Sequence, residues 1–264
     1  MVLDDVSIGS VALRHRDALQ PWPQWIDFSG ETCRLNLPIV ERDAAFAQVH
    51  DALRRQGLIP AWRNETYAIV THLGAPALAL IERAASRFWG TLTFGAHCNG
   101  YVADAAGRPA HLWIARRALS KPTDPGKLDN LVGGGVPHGQ TPFEALLREG
   151  FEEAGLDEAT MQRATPGRVI ELRCDIAEGF MHERLHTFDL CLPSATVPCN
   201  QDGEVAEWMR LSVDEAIERA GRDEMTVDAA LVTLDFALRQ RLLGTADAAK
   251  LAPRLAPLLQ DTSP

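Results

Sequence analysis

The sequence predicts a two-domain protein of mixed α/β (α+β) class, in which strands precede and flank a few helices without regular β–α–β alternation. The prediction rests on three observations. The chain has 264 residues, enough for two domains of ordinary size. Hydrophobic residues make up 46% and charged residues 23%, a globular balance that excludes extensive disorder. Alternating apolar runs, typical of strands, are interleaved with helical runs and with glycine and proline turns.

The first predicted domain, residues 1–90, is a small α+β unit. Residues 41–56 repeat Ala45, Val49 and Leu53 at helical spacing, and a glycine follows. Two short strands are expected next, at residues 64–73 and 77–81, although the second pattern also suits a helix.

The second predicted domain, residues 91–264, begins with a hairpin. Residues 91–102 and 112–117 form its strands, and a Gly-Arg-Pro turn joins them. The further elements expected are strands at 168–176, 186–192 and 206–211, and helices at 141–154, 212–219 and 226–243.

The charge of the chain limits its partners. The formal net charge is −10, which argues against broad binding to nucleic acid or to an anionic membrane surface. A small phosphorylated ligand would need a local cation or a bound metal. No stretch approaches the roughly 20 apolar residues of a membrane helix. The acidic N-terminus, together with five scattered cysteines that form no CxxC pair, predicts a cytoplasmic protein. The oligomeric state stays open, a homodimer included.

The residues that indicate a functional site lie in the segment 133–156. Three glycines come first, predicting a loop that lets backbone approach a ligand closely. Thr141, Pro142 and Glu144 then form a capping box with proline at the first helical position, and Gly155 suits the C-cap. Both ends of a helix are therefore signalled.

The predicted helix separates acids from apolar side chains. At about 100° per residue, Glu149, Glu152 and Glu153 share one side. The opposite, apolar side is expected to be the buried one, and it contains Phe143, Leu147, Phe151 and Ala154. A solvated acidic face is one interpretation. The glycines, caps and acids together favour the other, a site for Mg²⁺ or Mn²⁺, which take oxygen ligands.

This segment resembles the Nudix box, Gly-x5-Glu-x7-Arg-Glu-U-x-Glu-Glu-x-Gly-U, where U is a bulky aliphatic residue. The chain departs from it twice, with Gln140 in place of the first Glu and Gly150 in place of the first U, which indicates close packing beneath that glycine. The matching residues are Gly134, Arg148, Glu149, Glu152, Glu153, Gly155 and Leu156.

The resemblance implies a Nudix α/β/α sandwich with a mixed sheet, and a metal held by the three glutamates and the Gly133 carbonyl. Arg148 would orient Glu152 or Glu149. The general base would be a glutamate of the box or Glu204, which otherwise has a surface role. Outside the box, the residues considered for substrate contact are Lys127, Asn130 and Phe180. A structural role in tying down the loop is favoured for Asn130, and Phe180 lies at an expected loop tip.

Further motifs resemble a Nudix subgroup similar to the Nudix part of fungal thiamine pyrophosphokinases. They lie at residues 62–65, 121–130 and 200–205. The implied function is metal-dependent cleavage of a diphosphate, with an oxidised or damaged thiamine diphosphate derivative giving the monophosphate. The alternatives are hydrolysis of ADP-ribose or a nucleotide sugar, isopentenyl-diphosphate isomerisation, and ligand binding on a catalytically inactive Nudix scaffold.

Overall fold

The computed structural model describes residues 1–260 and divides them into two compact units. The first comprises Met1–Phe94, Val136–Gly139 and Leu172–Arg184, and the second comprises Gly95–Gly135, Gln140–Glu171 and the chain from Leu185 onward. Both units mix helices with sheets, so the predicted α/β class is confirmed.

The first unit contains a four-stranded sheet of order β2-β1-β4-β3, in which β1 and β4 are parallel. The predicted helix over 41–56 and the strands after it are confirmed, and the strand alternative for 77–81 is the correct one. The elements are β1 (Val2–Leu3), β2 (Val6–Ser7), α1 (Arg16–Leu19), β3 (Ile26–Ser29), β4 (Thr32–Leu35), α2 (Arg42–Arg55), the hairpin β5 (Thr66–Ile69) and β6 (Ala79–Glu82), and α3 (Ala85–Trp89).

Aromatic packing forms the centre of the first unit. Trp89 is fully buried and packs edge-on against Phe46 and Phe88, with ring centroids 5.6 and 5.1 Å apart. Its indole N–H donates to His50 Nε2 at 2.7 Å. Burial lowers the pKa of His50 to about 3, so the imidazole is a neutral acceptor within the core.

The second unit is built on a sheet of order β13-β8-β7-β12-β11-β14, with β10 paired to β7 and β9 to β8. One end of each of β7, β11 and β12 consists of residues of the first unit. Leu112 and Ile114 of β8 face Ala216 and Phe236, which cover that face of the sheet. The elements are β7 (Leu92–Ala103), β8 (Pro109–Arg117), β9 (Leu128–Asp129), β10 (Val132–Gly135), α4 (Pro142–Ala154), α5 (Glu158–Met161), β11 (Thr165–Ile176), β12 (Gly179–Cys191), β13 (Val205–Ser212), α6 (Val213–Ala220), α7 (Val227–Arg239), α8 (Thr245–Leu255) and β14 (Leu259–Gln260).

Three predictions in this part of the chain need correction. The glycines expected in a loop lie in β10, a strand that pairs antiparallel with β7. Strand β12 begins at Gly179, well before residue 186, which places Phe180 inside a strand and not at a loop tip. Helix α7 ends at Arg239 and not at residue 243. Over residues 1–260, no helix is both long enough and apolar enough to span a membrane.

Candidate metal centre

Helix α4 is fixed at both ends as the sequence predicts. The Thr141 hydroxyl accepts from the Glu144 backbone N–H at 3.2 Å, while the Glu144 carboxylate accepts from the Thr141 N–H at 2.7 Å. Gly155 ends the helix in the left-handed conformation, with φ at 63°. An added Cβ there would lie 2.6 Å from the Cys199 carbonyl oxygen, so both φ and space require glycine.

The predicted buried face of α4 is only partly correct, since Ala154 is buried as expected but the acids and Phe151 are not placed as expected. Glu149 and Glu153 are only 8% and 7% exposed, whereas Phe151 is 58% exposed. The physical reason lies in β10, where Gly134 has no side chain and leaves room for Glu149 against the strand, while the backbone N–H of Gly133 binds Glu153. The acids, and not the aromatic side chain, therefore face inward.

Backbone and glycine geometry hold these two carboxylates. The Gly133 N–H donates to Glu153 Oε2 at 3.0 Å. A Cβ on Gly134 would lie 2.4 Å from Glu149 Cδ and Oε1, so Glu149 lies directly over this glycine. The contact of β10 with Glu149 therefore requires glycine at position 134, whereas the contact with Glu153 is made by the backbone.

The carboxylates of this cluster repel one another, and this repulsion affects the pKa of Glu153. The pKa of Glu153 is raised to about 8, first by burial and then by the charges of Glu149 and Asp129. The Gly133 N–H and the Lys121 ammonium act in the opposite direction. Such a group of carboxylates is stabilised by an added cation.

Arg148 binds acids on either side of it, and these are the contacts that an orienting role requires. Its guanidinium contacts Glu152 Oε2 and Glu149 Oε1, each at 2.9 Å. Its Nε also donates to Gln140 Oε1 at 3.4 Å. Gln140, which replaces the Glu of the box pattern, therefore still offers an oxygen acceptor to this arginine.

Gly150, the other departure from the box, is explained by close packing. A Cβ there would come within 2.6–2.8 Å of three side-chain atoms of Met161 in α5. This confirms the close packing that the sequence indicated.

Glu204 lies in the same unit and is tied to α4 through its own segment. The backbone N–H groups of Cys199 and Gln201 donate to the Ala154 and Glu152 carbonyls, each at 2.9 Å. Glu204 itself forms an ion pair with Lys121. The sequence singled out Glu204 but assigned no role to Lys121, because nothing local links two residues so far apart in the chain.

Behind the glycine strand lies a buried polar network. Arg117 Nη1 donates to Asp129 Oδ2 at 2.8 Å, and its Nη2 donates to the Thr123 carbonyl at 2.9 Å, holding the loop after β8. Asn130 is 1% exposed, and its side chain pairs with His97 at 3.1 Å and Asn99 at 3.2 Å. This placement corrects the assignment of Asn130 as a substrate contact and favours its alternative role as a loop anchor.

The other predicted substrate contacts lie outside this cluster. Lys127 Nζ pairs with Asp223 at 2.9 Å on the surface of the second unit. Phe180 belongs to the first unit, whereas the carboxylates belong to the second. The structure therefore does not bring Phe180 and the carboxylates together within one unit.

The donors available to a metal are all oxygens, which suits Mg²⁺ or Mn²⁺. Over residues 1–260, no three Asp, Glu, His or Cys side chains converge closely enough to hold an ion in the present arrangement. Glu149 and Glu153 lie together, while Glu152 is engaged by Arg148. The cluster thus fits such a metal by chemistry, with Glu152 as the ligand that would have to turn.

The chain that contains this glycine strand and carboxylate helix matches two family models. Residues 96–231 match the family described as NUDIX domain. The chain belongs to the Nudix family. Residues 1–93 match a second model, a domain of unknown function, DUF4743.

Curated relatives resemble this Nudix chain over most of its length. Nudix hydrolase 24, chloroplastic, of Arabidopsis thaliana is 39% identical over 204 residues, covering 77% of this chain and 55% of the relative. Nudix hydrolase 20, chloroplastic, of the same plant is 39% identical, covering 75% and 53%. An uncharacterized Saccharomyces cerevisiae protein is 31% identical, covering 69% and 56%. The chain spans about half the length of these relatives.

Solved structures are similar at lower identity. A Deinococcus radiodurans protein has 20% identity and a TM-score of 0.47, covering 65% of this chain and 97% of that protein. The Ap4A hydrolase of C. elegans, in a binary complex, has 16% identity and a TM-score of 0.42, covering 57% and 99%.

Proposed function

We propose that this Nudix protein is a Mg²⁺- or Mn²⁺-dependent hydrolase that cleaves a diphosphate linkage in a small molecule. The observation that carries the proposal is the pair of buried carboxylates, Glu149 and Glu153, packed over the glycines of β10. Burying two acids together costs stability unless a cation compensates them, so this arrangement is expected where a metal functions.

The chain's own residues have distinct tasks in this reaction. Glu149 and Glu153 would hold the ion, with Glu152 and the Gly133 carbonyl as further ligands. A bound metal neutralises phosphate oxygens and lowers the pKa of an attacking water. Arg148 restrains two of the carboxylates, and the Gly133 N–H fixes the third. A glutamate, from the box or Glu204, accepts the proton of the water.

For the substrate, we propose a thiamine diphosphate derivative, oxidised or damaged, that is cleaved to the monophosphate. The support is the resemblance of residues 62–65, 121–130 and 200–205 to the subgroup near fungal thiamine pyrophosphokinases. The box handles only the diphosphate, so selectivity has to come from residues outside it. Lys127 and Phe180 are proposed to contribute to that selectivity.

The test is a screen of diphosphate compounds with the full chain, with and without Mg²⁺. The set includes thiamine diphosphate derivatives, ADP-ribose, nucleotide sugars and nucleoside triphosphates, and Glu153→Gln serves as the inactive control. We expect metal-dependent phosphate products, with the highest kcat/KM for a thiamine diphosphate derivative.

The other outcomes separate the proposals from one another. If ADP-ribose is tenfold or more the better substrate, the thiamine proposal fails and the hydrolase proposal stands. If no compound is cleaved in a metal-dependent way, the hydrolase proposal fails, and tight binding without turnover would favour the inactive scaffold.

A further inference from the structure

Lys121 differs from the other lysines of the chain. The sequence contains only three, Lys121, Lys127 and Lys250, among 26 basic residues. The side chains of Lys127 and Lys250 are 32% and 78% exposed, whereas that of Lys121 is only 9% exposed. A buried ammonium group is costly unless acids surround it.

Three acids from two segments compensate this ammonium. Lys121 forms an ion pair with Glu204. Burial raises the pKa of Glu153 on α4 and that of Asp202 in the segment before β13, and the charge of Lys121 opposes both increases. The backbone reinforces this arrangement, since the Glu204 carbonyl accepts from the Ala118 N–H at 2.9 Å and the Glu204 N–H donates to Asp202 Oδ1 at 2.8 Å.

We propose that Lys121 is the resident counter-cation of the carboxylate site: it positions Glu204 beside α4 and opposes the binding of a divalent metal to the same acids. The proposal rests on the proposed function only in placing the metal at Glu149 and Glu153. It adds that metal uptake has to overcome repulsion from a fixed positive charge, so Lys121 sets the metal concentration that the protein requires.

Removal of Lys121 should change the metal affinity in opposite directions for the proposed role and for a purely structural role. An ammonium near a divalent ion is repulsive, so its removal should tighten metal binding. A lysine that merely holds its loop in place would, when removed, loosen the site and weaken binding. Metal affinity alone therefore separates the two roles.

The experiment is a direct titration of the full-length protein with Mn²⁺, followed by the electron paramagnetic resonance of the free ion without substrate. We expect Lys121→Met to lower the Mn²⁺ Kd about tenfold, which corresponds to ~1.4 kcal/mol. Lys121→Arg keeps the charge and should restore a Kd within about twofold of wild type. Lys250→Met, the same change at an exposed lysine, is the matched control and should bind as wild type.

A second pair of variants keeps the test decisive if Lys121→Met does not fold. Glu204→Gln removes a nearby negative charge and should raise the Kd, while Lys121→Gln with Glu204→Gln should return it toward wild type, because the two charge changes cancel. A Kd that is unchanged or higher in Lys121→Met or Lys121→Gln would overturn the proposal, as would an effect of equal size in Lys250→Met.

The titration needs no substrate, so the two proposals can fail independently. Tighter Mn²⁺ binding in Lys121→Met together with no cleavage of any diphosphate would sustain this inference and remove the proposed activity. Normal diphosphate cleavage by the wild-type protein, together with an unchanged Mn²⁺ Kd in Lys121→Met, would sustain the proposed activity and remove this inference. A wild-type protein that binds no Mn²⁺ would remove both.

Discussion

Gly134→Ala should damage the carboxylate site while leaving the fold in place. The new Cβ would lie 2.4 Å from Glu149 Cδ and Oε1 and 2.5 Å from Cγ. Ordinary carbon contacts are at about 3.5–4.0 Å, so the end of the Glu149 side chain has to move by about 1 Å. A displacement of about 1 Å in a reacting group costs on the order of 10²-fold in rate. We therefore expect kcat to fall about 100-fold, or ~2.7 kcal/mol in the activation free energy.

The stability of the protein should change much less. Glu149 is a side chain that can rotate, so the clash is relieved without moving backbone, and a loss in unfolding free energy of about 1 kcal/mol or less is expected. The assay combines Mg²⁺-dependent product release with urea unfolding of the same preparation. Gly244→Ala is the matched control, because its Cβ would meet nothing within 4 Å and its φ is −60°.

Two results would refute this reasoning. The first is Gly134→Ala with kcat within threefold of wild type, which would mean that the position of Glu149 does not matter. The second concerns Gly134→Ala combined with Glu149→Asp, which shortens the acid by one methylene and makes room for the methyl group. If this double variant is no more active than Gly134→Ala, the loss does not arise from crowding of Glu149.

Three further changes have distinct expected outcomes. Glu153→Gln should lower turnover by two orders of magnitude or more with an unfolding free energy equal to or above wild type, because burial disfavours the ionised form of Glu153 and glutamine is neutral in both the folded and the unfolded state. Near-normal Mg²⁺-dependent turnover would contradict the assignment of this residue. Thr141→Ala should cost about 1 kcal/mol in urea unfolding through loss of the N-cap, and Thr141→Ser should recover most of it. His50 binds a proton when unfolded below its ordinary pKa of 6.5 but not when folded until about pH 3, so the folded state should lose up to about 1.4 kcal/mol of stability per pH unit on acidification through that window. His50→Gln should flatten this dependence, and an unchanged slope would exclude His50 as its source.

The sequence predicted the position of α4 and the identity of its acids, because caps and charges are local signals. Thr141 and Gly155 lie where expected, and Arg148 contacts the glutamates that the box pattern assigns to it. The buried face was predicted correctly for Ala154 but incorrectly for Phe151 and the acids, because helical periodicity alone assigns acids to solvent. Only the presence of glycines on the neighbouring strand, a pairing distant in sequence, reverses that assignment.

Other features could not be predicted from the sequence, because they too depend on residues that are distant in the chain. The strands β1 and β4 of the first unit are two and four residues long and pair in parallel, so neither shows a clear alternating pattern. The pairing of Lys121 with Glu204 depends on where the segment before β13 lies against α4. For Asn130 the sequence offered two roles, a substrate contact and a loop anchor, and its burial in the structure favours the loop anchor.

The short segment Val136–Gly139 has a consequence for the history of this protein. It lies inside the Nudix motif, between β10 and α4, yet it is counted with the first unit, where the His138 N–H donates to the Thr66 carbonyl at 2.8 Å. A recombination event that replaced the N-terminal half would therefore have to keep the backbone of residue 66 in the same place to preserve this hydrogen bond. The two halves are expected to be inherited and to diversify together, and chimaeras of related proteins should work best when both halves come from one parent.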